Sequence, residues 1–157
     1  MENNIGITTE NRQYVSDELA KLLGDEFVLY IKTRNAHWNV EGMDFYAKHI
    51  FFESQYKEVD EILDSVAERM RKIDHYAPAT LTQLLQLSHL TEVIEYKKDS
   101  RGYVKILLED HESIIIFLRG IITPIGINYG DVGTSDFLTT VLAKHEKMAW
   151  ILRAHLG

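Results

Sequence analysis

The hydrophobic positions of the chain follow a helical period in its first forty residues. From about Glu10 to Trp38, apolar side chains recur every three or four residues, as they do on one face of an α-helix. These positions are Val15, Leu19, Leu23, Phe27, Tyr30 and Ile31. The Glu41–Gly42 pair interrupts the pattern, and Asp44 is placed to cap a second helix.

Three further segments carry the same kind of pattern. The second helix is predicted to run to about Ile73, and the spacing of its apolar positions alternates between four and three, which is typical of a helix bundle. These positions are Phe52, Tyr56, Val59, Leu63, Val66, Met70 and Ile73. A third helix is predicted from about Glu92 to Ile122, ending near Pro124, with Val104, Leu107, His111, Ile115, Leu118 and Ile122 on one face. A fourth is predicted to start after Thr134 or Ser135 as its cap and to reach the end of the chain.

The connection between the second and third helices is long, and residues 80–88 within it predict a short extra helix. Four helices with one long crossover are the ferritin-like form of the four-helix bundle, here as a single domain over residues 1–157. A dimeric coiled coil and an adaptor bundle are the alternative all-α folds. Both explain the apolar positions, but neither gives a role to the polar residues discussed below.

Composition narrows the possible partners. The 157 residues include no cysteine, so a metal site would have to use histidine and carboxylate ligands. The net charge of −7 disfavours nonspecific binding to nucleic acid and favours cations, although an acidic surface is more often simply solvated. The first ten residues do not resemble a signal peptide, and no apolar stretch reaches membrane-spanning length, so we expect a cytoplasmic protein without a membrane partner.

The second helix carries a stripe of potential metal ligands. A di-iron site inside a bundle requires Glu-x-x-His motifs, and the sequence contains none. His49 and Glu53 are four residues apart and share a helix face, and Asp64 and Glu68 repeat that spacing. The eleven-residue step between the two pairs turns by only about 20° but rises by about 16 Å. One helix therefore cannot close a single metal cluster with all four side chains.

A two-fold dimer removes this difficulty. If two copies of the second helix pack antiparallel, His49 and Glu53 of one chain face Asp64 and Glu68 of the other, and symmetry creates two identical sites. His37, near the end of the first helix, can complete one half. Taken singly, each of these residues is more often a solvated or structural side chain. Their joint spacing makes a site for a divalent metal such as Fe²⁺ the stronger hypothesis.

The region around these residues resembles a known family. The block "KTRNAHWNVEGMDFYAKHIFFESQYKEVDEILDSVAERMRKID" is similar to the signature region of the Dps proteins, the mini-ferritins named as DNA-binding proteins from starved cells. The similarity extends over nearly the whole chain. Its most specific elements are a His-Trp dipeptide, a histidine 12 residues after the first, and a D-x-x-x-E pattern that begins 27 residues after it.

The resemblance implies a hollow homododecamer of four-helix subunits. Such shells oxidise Fe²⁺, usually with hydrogen peroxide and otherwise with dioxygen, and store the non-haem iron as a ferric mineral. Other divalent metals are also possible at the same site. The ferroxidase ligands of the family correspond to His37, His49 and Glu53 of one subunit, and to Asp64 and Glu68 of its two-fold mate. Many members carry aspartate at the position of Glu53, and the longer side chain can still bind a metal.

Further candidate residues follow from the same resemblance, each with a structural alternative. Trp38 is similar to a tryptophan beside the family's site that supplies an electron or quenches radicals, or else it is an interface anchor. Asp131 and Asp136 resemble acidic residues of ion-entry pores, although a carboxylate at a helix start is also favoured by the macrodipole. We interpret His111 and His145, on apolar helix faces, as core histidines.

Two rival functions remain at this stage. The missing Glu-x-x-His motifs argue against a haem- or manganese-using bundle enzyme such as a bacterioferritin or a manganese catalase. The alternative to a ferroxidase is a nucleoid-associated, DNA-protecting shell with little ferroxidase activity. Its family relatives often bind DNA through a Lys- or Arg-rich tail, whereas residues 1–13 contain one arginine and no lysine. We therefore regard DNA binding as doubtful and expect no stable complex with duplex DNA at physiological salt.

Overall fold

The chain folds as a bundle of four long helices with a fifth, short helix in the crossover. A computed structural model describes residues 3–92 and 98–157. The helices are α1 (Thr9–Asn39), α2 (Phe45–Lys72), α3 (Leu81–Leu87), α4 (Ser100–Ile127) and α5 (Val132–Ala154). Helix α1 packs against α2, α4 packs against α5, and α1–α4 and α2–α5 contacts join the two pairs. The all-α bundle with a short helix between the second and third long helices is thus confirmed.

The interior is built largely from the predicted apolar positions. On α2, Phe52, Val59 and Val66 have no solvent-exposed surface, and they pack with apolar side chains of the other long helices. The face predicted for α1 extended too far, because Ile31 is 48% exposed. None of the helices in the described part of the chain is long and apolar enough to cross a membrane.

Helix α3 lies close to α1 at a glycine. A Cβ atom at Gly24 would come within 2.7 Å of the Leu84 carbonyl oxygen and 2.9 Å of the Ser88 nitrogen. Only a residue without a side chain allows this separation, so Gly24 fixes where the crossover helix docks. The next residue, Asp25, accepts hydrogen bonds from the Ser88 hydroxyl and the His89 backbone N–H at the end of α3.

The predicted bounds of α4 were wrong at both ends. Glu92 lies outside the helix, residues 93–97 of the prediction lie outside the described residues, and α4 begins after Asp99, whose side chain accepts from the Gly102 N–H at 2.8 Å. The helix also continues through Pro124 to Ile127. A proline leaves one carbonyl without a helical donor, here that of Gly120, which is exposed and can be solvated.

The caps of α2 and α5 also differ from the expectation. Helix α5 begins three residues earlier than a Thr134 cap requires, because Asp131 accepts the Thr134 N–H at 2.8 Å and its hydroxyl at 2.5 Å. Asp44 holds the predicted N-cap position of α2, but its side chain makes no capping hydrogen bond. Helices α1 and α3 agree with the sequence prediction to within a residue or two.

Candidate metal centre

Two histidines from different helices contact each other at the end of the α1–α2 pair where residues 40–44 connect the helices. His37 is in the last turn of α1, and His49 is in the second turn of α2. Their rings stack with centroids 3.8 Å apart and planes inclined by 20°. Nδ1 of His37 lies 2.8 Å from the carbonyl oxygen of His49, and Nδ1 of His49 lies 2.7 Å from the carbonyl oxygen of His37.

These contacts determine the tautomer of both rings. A carbonyl oxygen only accepts hydrogen bonds, so Nδ1 of each ring carries the proton and donates. In the neutral ring the lone pair then lies on Nε2, which is the form that binds a metal. Histidine ligands commonly donate their other N–H to a backbone carbonyl, because this fixes the ring and raises its basicity. His37 and His49 thus each have a fixed ring with Nε2 free, which is the arrangement that histidine ligands commonly have.

Aromatic side chains surround this pair. Tyr56 meets the His37 ring edge-on at 5.2 Å, and Phe45 stacks on His49 at 5.3 Å. The guanidinium of Arg34 lies 3.9 Å from the centre of the Tyr56 ring and 5.8 Å from that of Trp38. These contacts leave the imidazoles little freedom to rotate, so the two Nε2 atoms keep their directions.

Glu53 lies one helical turn after His49 and is paired with a lysine. Its Oε1 is 2.6 Å from Nζ of Lys57, and this contact lowers the pKa of the Glu53 carboxyl, with smaller contributions from His37 and His49. The carboxylate is therefore ionised at neutral pH and lies in the electrostatic neighbourhood of both rings. The pair is largely exposed, and such pairs exchange partners at little cost, so a divalent cation can displace Lys57.

Asp64 and Glu68 are separate from this group within the chain. Both are exposed on α2, and neither has a hydrogen bond or ion pair with another described residue. In the part of the chain that the structure describes, no three His, Asp or Glu side chains converge as a metal site requires. The chain therefore presents two separate groups of predicted ligands, one in each half of α2.

The remaining predicted residues differ in their surroundings. Trp38 is 62% exposed beside His37, so it can reach either a metal site or another subunit. Asp136 is exposed near the start of α5. The carboxylate of Asp131, in contrast, is buried, caps α5 and lies 3.3 Å from Nη2 of Arg69. Asp131 thus has a structural role, and the pore prediction rests on Asp136.

His111 and His145 are core histidines, as interpreted from the sequence. Both are buried, with their Nδ1 atoms 2.9 Å apart, and Nε2 of His145 is 2.7 Å from Oε1 of Glu26. The sequence-based prediction did not include Glu26, although a glutamate followed by the apolar run from Phe27 to Tyr30 could have indicated a buried carboxylate. It also missed Lys57, which the four-residue spacing from Glu53 could have suggested.

Known proteins with the same sequence pattern and fold extend this description. The profile of the ferritin-like domain matches residues 16–157. The chain is 37% identical to a low temperature-induced protein of Nostoc sp. over 153 residues, which are 98% of this chain and 86% of that protein. It is 34% identical over 147 residues to DNA protection during starvation protein 2 of Bacillus anthracis. The matched residues are 94% of this chain and 99% of that protein. The structure superposes on the crystal structure of the Dps protein of Vibrio cholerae with a TM-score of 0.92 at 28% sequence identity. The superposition covers 99% of this chain and 96% of that chain. The Vibrio cholerae protein is described as a member of a broad superfamily of ferritin-like diiron-carboxylate proteins.

Proposed function

Because the chain belongs to the Dps family of the ferritin-like superfamily, we propose that it is a ferroxidase that detoxifies peroxide and stores iron. In this proposal Fe²⁺ is oxidised at sites between subunits, and the ferric product is stored inside a hollow dodecamer. The observation that carries the proposal is the reciprocal hydrogen bonding of His37 and His49, which leaves Nε2 of both rings for a metal.

The ligand set needs a second subunit. His37, His49 and Glu53 form one half-site, and the partner's Asp64 and Glu68 complete it when two α2 helices pack antiparallel. Exposure of Asp64 and Glu68 without partners in the described chain supports this, because a pair of solvated carboxylates is free to bind a cation. In this arrangement one iron binds His37 with the partner's Asp64 and Glu68, and a second iron binds His49 and Glu53 more weakly.

The ligands suit iron that must change its oxidation state. Imidazole and carboxylate bind both Fe²⁺ and Fe³⁺, and anionic oxygen ligands favour the more highly charged product. Two Fe²⁺ ions give one electron each to hydrogen peroxide, which takes up two protons and becomes two water molecules. Because both reagents of hydroxyl-radical formation are consumed together, storage and protection are a single reaction.

Replacing one histidine tests the assignment. The variant His49→Leu should lower the initial rate of Fe²⁺ oxidation by peroxide by at least about tenfold, since even an outer partner of a metal ligand contributes that much. It should also weaken binding of Co²⁺, which reports on the site without turnover. The matched control is His155→Leu, because His155 is an exposed histidine whose Nδ1 hydrogen-bonds the Ile151 carbonyl oxygen. Its ring also lies 4.5 Å from that of Phe51, and leucine keeps an apolar contact there.

Two results would contradict the proposal. One is a wild-type rate in His49→Leu shells. The other is an equal loss of the oxidation rate in His49→Leu and His155→Leu when both variants have the native particle mass, because the effect would then not be specific to the site. Native mass measurement on both variants separates failure of assembly from failure of chemistry.

A further inference from the structure

Two tyrosines far apart in the sequence lie face to face on the side of the bundle. Tyr14 is in the second turn of α1, and Tyr129 is in the turn between α4 and α5. Their ring centroids are 3.7 Å apart, and the planes are inclined by only 8°. The other contact between two tyrosines in the described residues, Tyr30–Tyr56, is edge-on, with centroids 6.2 Å apart and planes at 89°.

The backbone around the stacked pair is held in place. The side-chain amide of Asn11 donates to the Tyr129 carbonyl oxygen at 3.1 Å, and the Tyr129 N–H donates to the Pro124 carbonyl oxygen at 3.1 Å. Both tyrosines are half-buried, so small oxidants can reach the rings while the backbone keeps them together. Stacking alone is a common way to pack aromatic rings, but a separation this short also brings the ring carbons of the two phenols into contact.

We propose that Tyr14 and Tyr129 are a site of oxidative cross-linking, at which the two phenols are joined as dityrosine. Each phenol loses one electron and one proton to become a phenoxyl radical. The two radicals form one carbon–carbon bond between ring positions next to the hydroxyl groups. The hydrogen on each bonded carbon then moves to oxygen, which restores both phenols. Hydrogen peroxide is the final oxidant, and it takes up the two electrons and two protons to give two molecules of water.

Proximity makes this pair react before the other tyrosines. Coupling of two radicals in solution depends on their meeting, whereas rings already in contact convert it into a step within one molecule. Burial, Glu18 and the neighbouring Tyr129 raise the pKa of the Tyr14 hydroxyl. The phenol is therefore neutral at physiological pH and releases its proton together with the electron.

The bond would add a covalent connection to the stacking contact and the Asn11–Tyr129 hydrogen bond that already join these two parts of the fold. It would join the start of α1 to the turn that precedes Asp131, whose carboxylate pairs with Arg69 on α2. Under oxidising conditions the subunit would gain a covalent staple without a cysteine. This inference goes beyond the proposed ferroxidase, because any one-electron oxidant formed from peroxide can start the reaction.

The test uses the full chain free of iron, oxidised by a photo-activated one-electron oxidant and digested with trypsin. Tyr14 is the only tyrosine in the peptide of residues 13–21, and Tyr129 is the only tyrosine in that of residues 120–144. Mass spectrometry should find these two peptides joined with the loss of two hydrogen atoms, in protein of single-chain mass. The variants Tyr14→Phe and Tyr129→Phe, which keep the stacked rings, should each lose the linked peptide. The control Tyr30→Phe should retain it.

The inference is overturned if oxidised wild-type protein contains other tyrosine products but no link between these two peptides. It is also overturned if the link persists in either phenylalanine variant. A second sample, treated with Fe²⁺ and peroxide, separates this result from the proposed function. If the iron-free sample contains the link but the second sample does not oxidise Fe²⁺, only the proposed ferroxidase is contradicted. If the second sample oxidises Fe²⁺ normally but neither sample contains the link, only the cross-linking site is contradicted.

Discussion

Two carboxylates near the start of α5 have the same chemistry but different surroundings. The Asp131 carboxylate is buried, accepts hydrogen bonds from the Thr134 N–H and hydroxyl, and forms an ion pair with Arg69. Asp136 is exposed on the first turns of the helix. Because a cation and two hydrogen-bond donors already neutralise the Asp131 carboxylate, it attracts a passing metal ion only weakly. A ring of solvated Asp136 side chains around a three-fold axis would, in contrast, lower the electrostatic cost of moving a cation through a pore.

Substitution of each aspartate should therefore affect a different property. Asp136→Asn should slow iron mineralisation at low Fe²⁺, and the deficit should shrink at saturating Fe²⁺ because supply is altered and chemistry is not. Asp131→Ala should lower the free energy of unfolding by about 1–3 kcal/mol, since it removes a helix cap and leaves the partners of a buried carboxylate unpaired. Iron loading curves and chemical denaturation measure the two effects, and each variant is the control for the other. A wild-type loading rate for Asp136→Asn at low Fe²⁺ would contradict the pore role.

The sequence could identify these residues but not divide their roles. The spacing of His37, His49 and Glu53 is visible in the sequence, and so is the position of both aspartates near a helix start. Which carboxylate is buried depends on Arg69, which is 62 residues from Asp131 in the chain. In the same way, the free Nε2 atoms of the histidines follow from backbone carbonyls of the opposite helix, and no local pattern reveals them.

Three of the long helices are connected through a buried polar chain. Glu26 of α1 contacts His145 of α5, and His145 contacts His111 of α4, with all three side chains almost completely buried. Burial, together with the neighbouring His145, holds the pKa of His111 well below its ordinary value. The folded bundle therefore keeps His111 neutral under conditions where an unfolded chain would protonate it.

This difference predicts acid sensitivity. As the pH falls below about 6.5, the unfolded chain binds a proton at His111 and the folded protein does not, so the folded state loses up to about 1.4 kcal/mol per pH unit. The variant His111→Gln keeps a polar partner for His145 but cannot titrate. Its free energy of unfolding, measured by denaturation between about pH 5 and 7.5, should depend less on pH than that of the wild type.

The buried carboxyl of Asp110 changes the pH dependence of stability in the opposite direction, and its contribution must be separated from that of His111. Burial raises the pKa of Asp110 to about 6, against the opposing influence of Lys32. Folded protein holds that proton at a pH where the unfolded chain has lost it, so Asp110 alone makes the protein more stable toward acid. Because Asp110 is present in both proteins, the difference between wild type and His111→Gln isolates the histidine. Equal pH slopes would contradict the assignment.

The helices themselves were largely predictable, whereas several of their ends were not. Apolar periodicity over many residues predicted α1 and α2 within a few residues, because burial of a continuous face dominates the stability of a long helix. The ends of α4 and α5 depend on single side chains. Asp99 and Asp131 begin these helices by accepting backbone N–H groups, and a proline near the end of α4 is tolerated because its unpaired carbonyl is exposed.

Charge determines which large partners the whole molecule attracts. With a net charge of −7, the protein repels a polyanion, and the one arginine of residues 1–13, Arg12, is buried. We predict no stable complex with duplex DNA at physiological salt in metal-free buffer. An electrophoretic mobility assay with a DNA-binding relative as positive control measures this. A shift that weakens steeply as salt is added would show that the protein presents a basic surface.

We propose that each iron site is shared by two chains, and the single chain supports this proposal by separating the predicted ligands along α2. Glu53 and Asp64 are about 16 Å apart along the helix axis, at about 1.5 Å per residue. A site that used both from one subunit would have to break the helix. In the proposed arrangement, a two-fold neighbour would supply the missing half without any change in the fold.

Shells that mix two different variants test whether the site is shared. Shells made only of His37→Ala chains or only of Glu68→Ala chains should both lose rapid Fe²⁺ oxidation. A pair with one chain of each kind has one site with both lesions and one with neither, so random mixing in equal amounts should restore about a quarter of the wild-type sites. The measurement is the peroxide-dependent oxidation rate of shells whose mixed composition has been verified by native mass spectrometry. Recovery to about a quarter of the wild-type rate is the predicted result, and a rate no higher than that of the two parent shells would contradict the shared site.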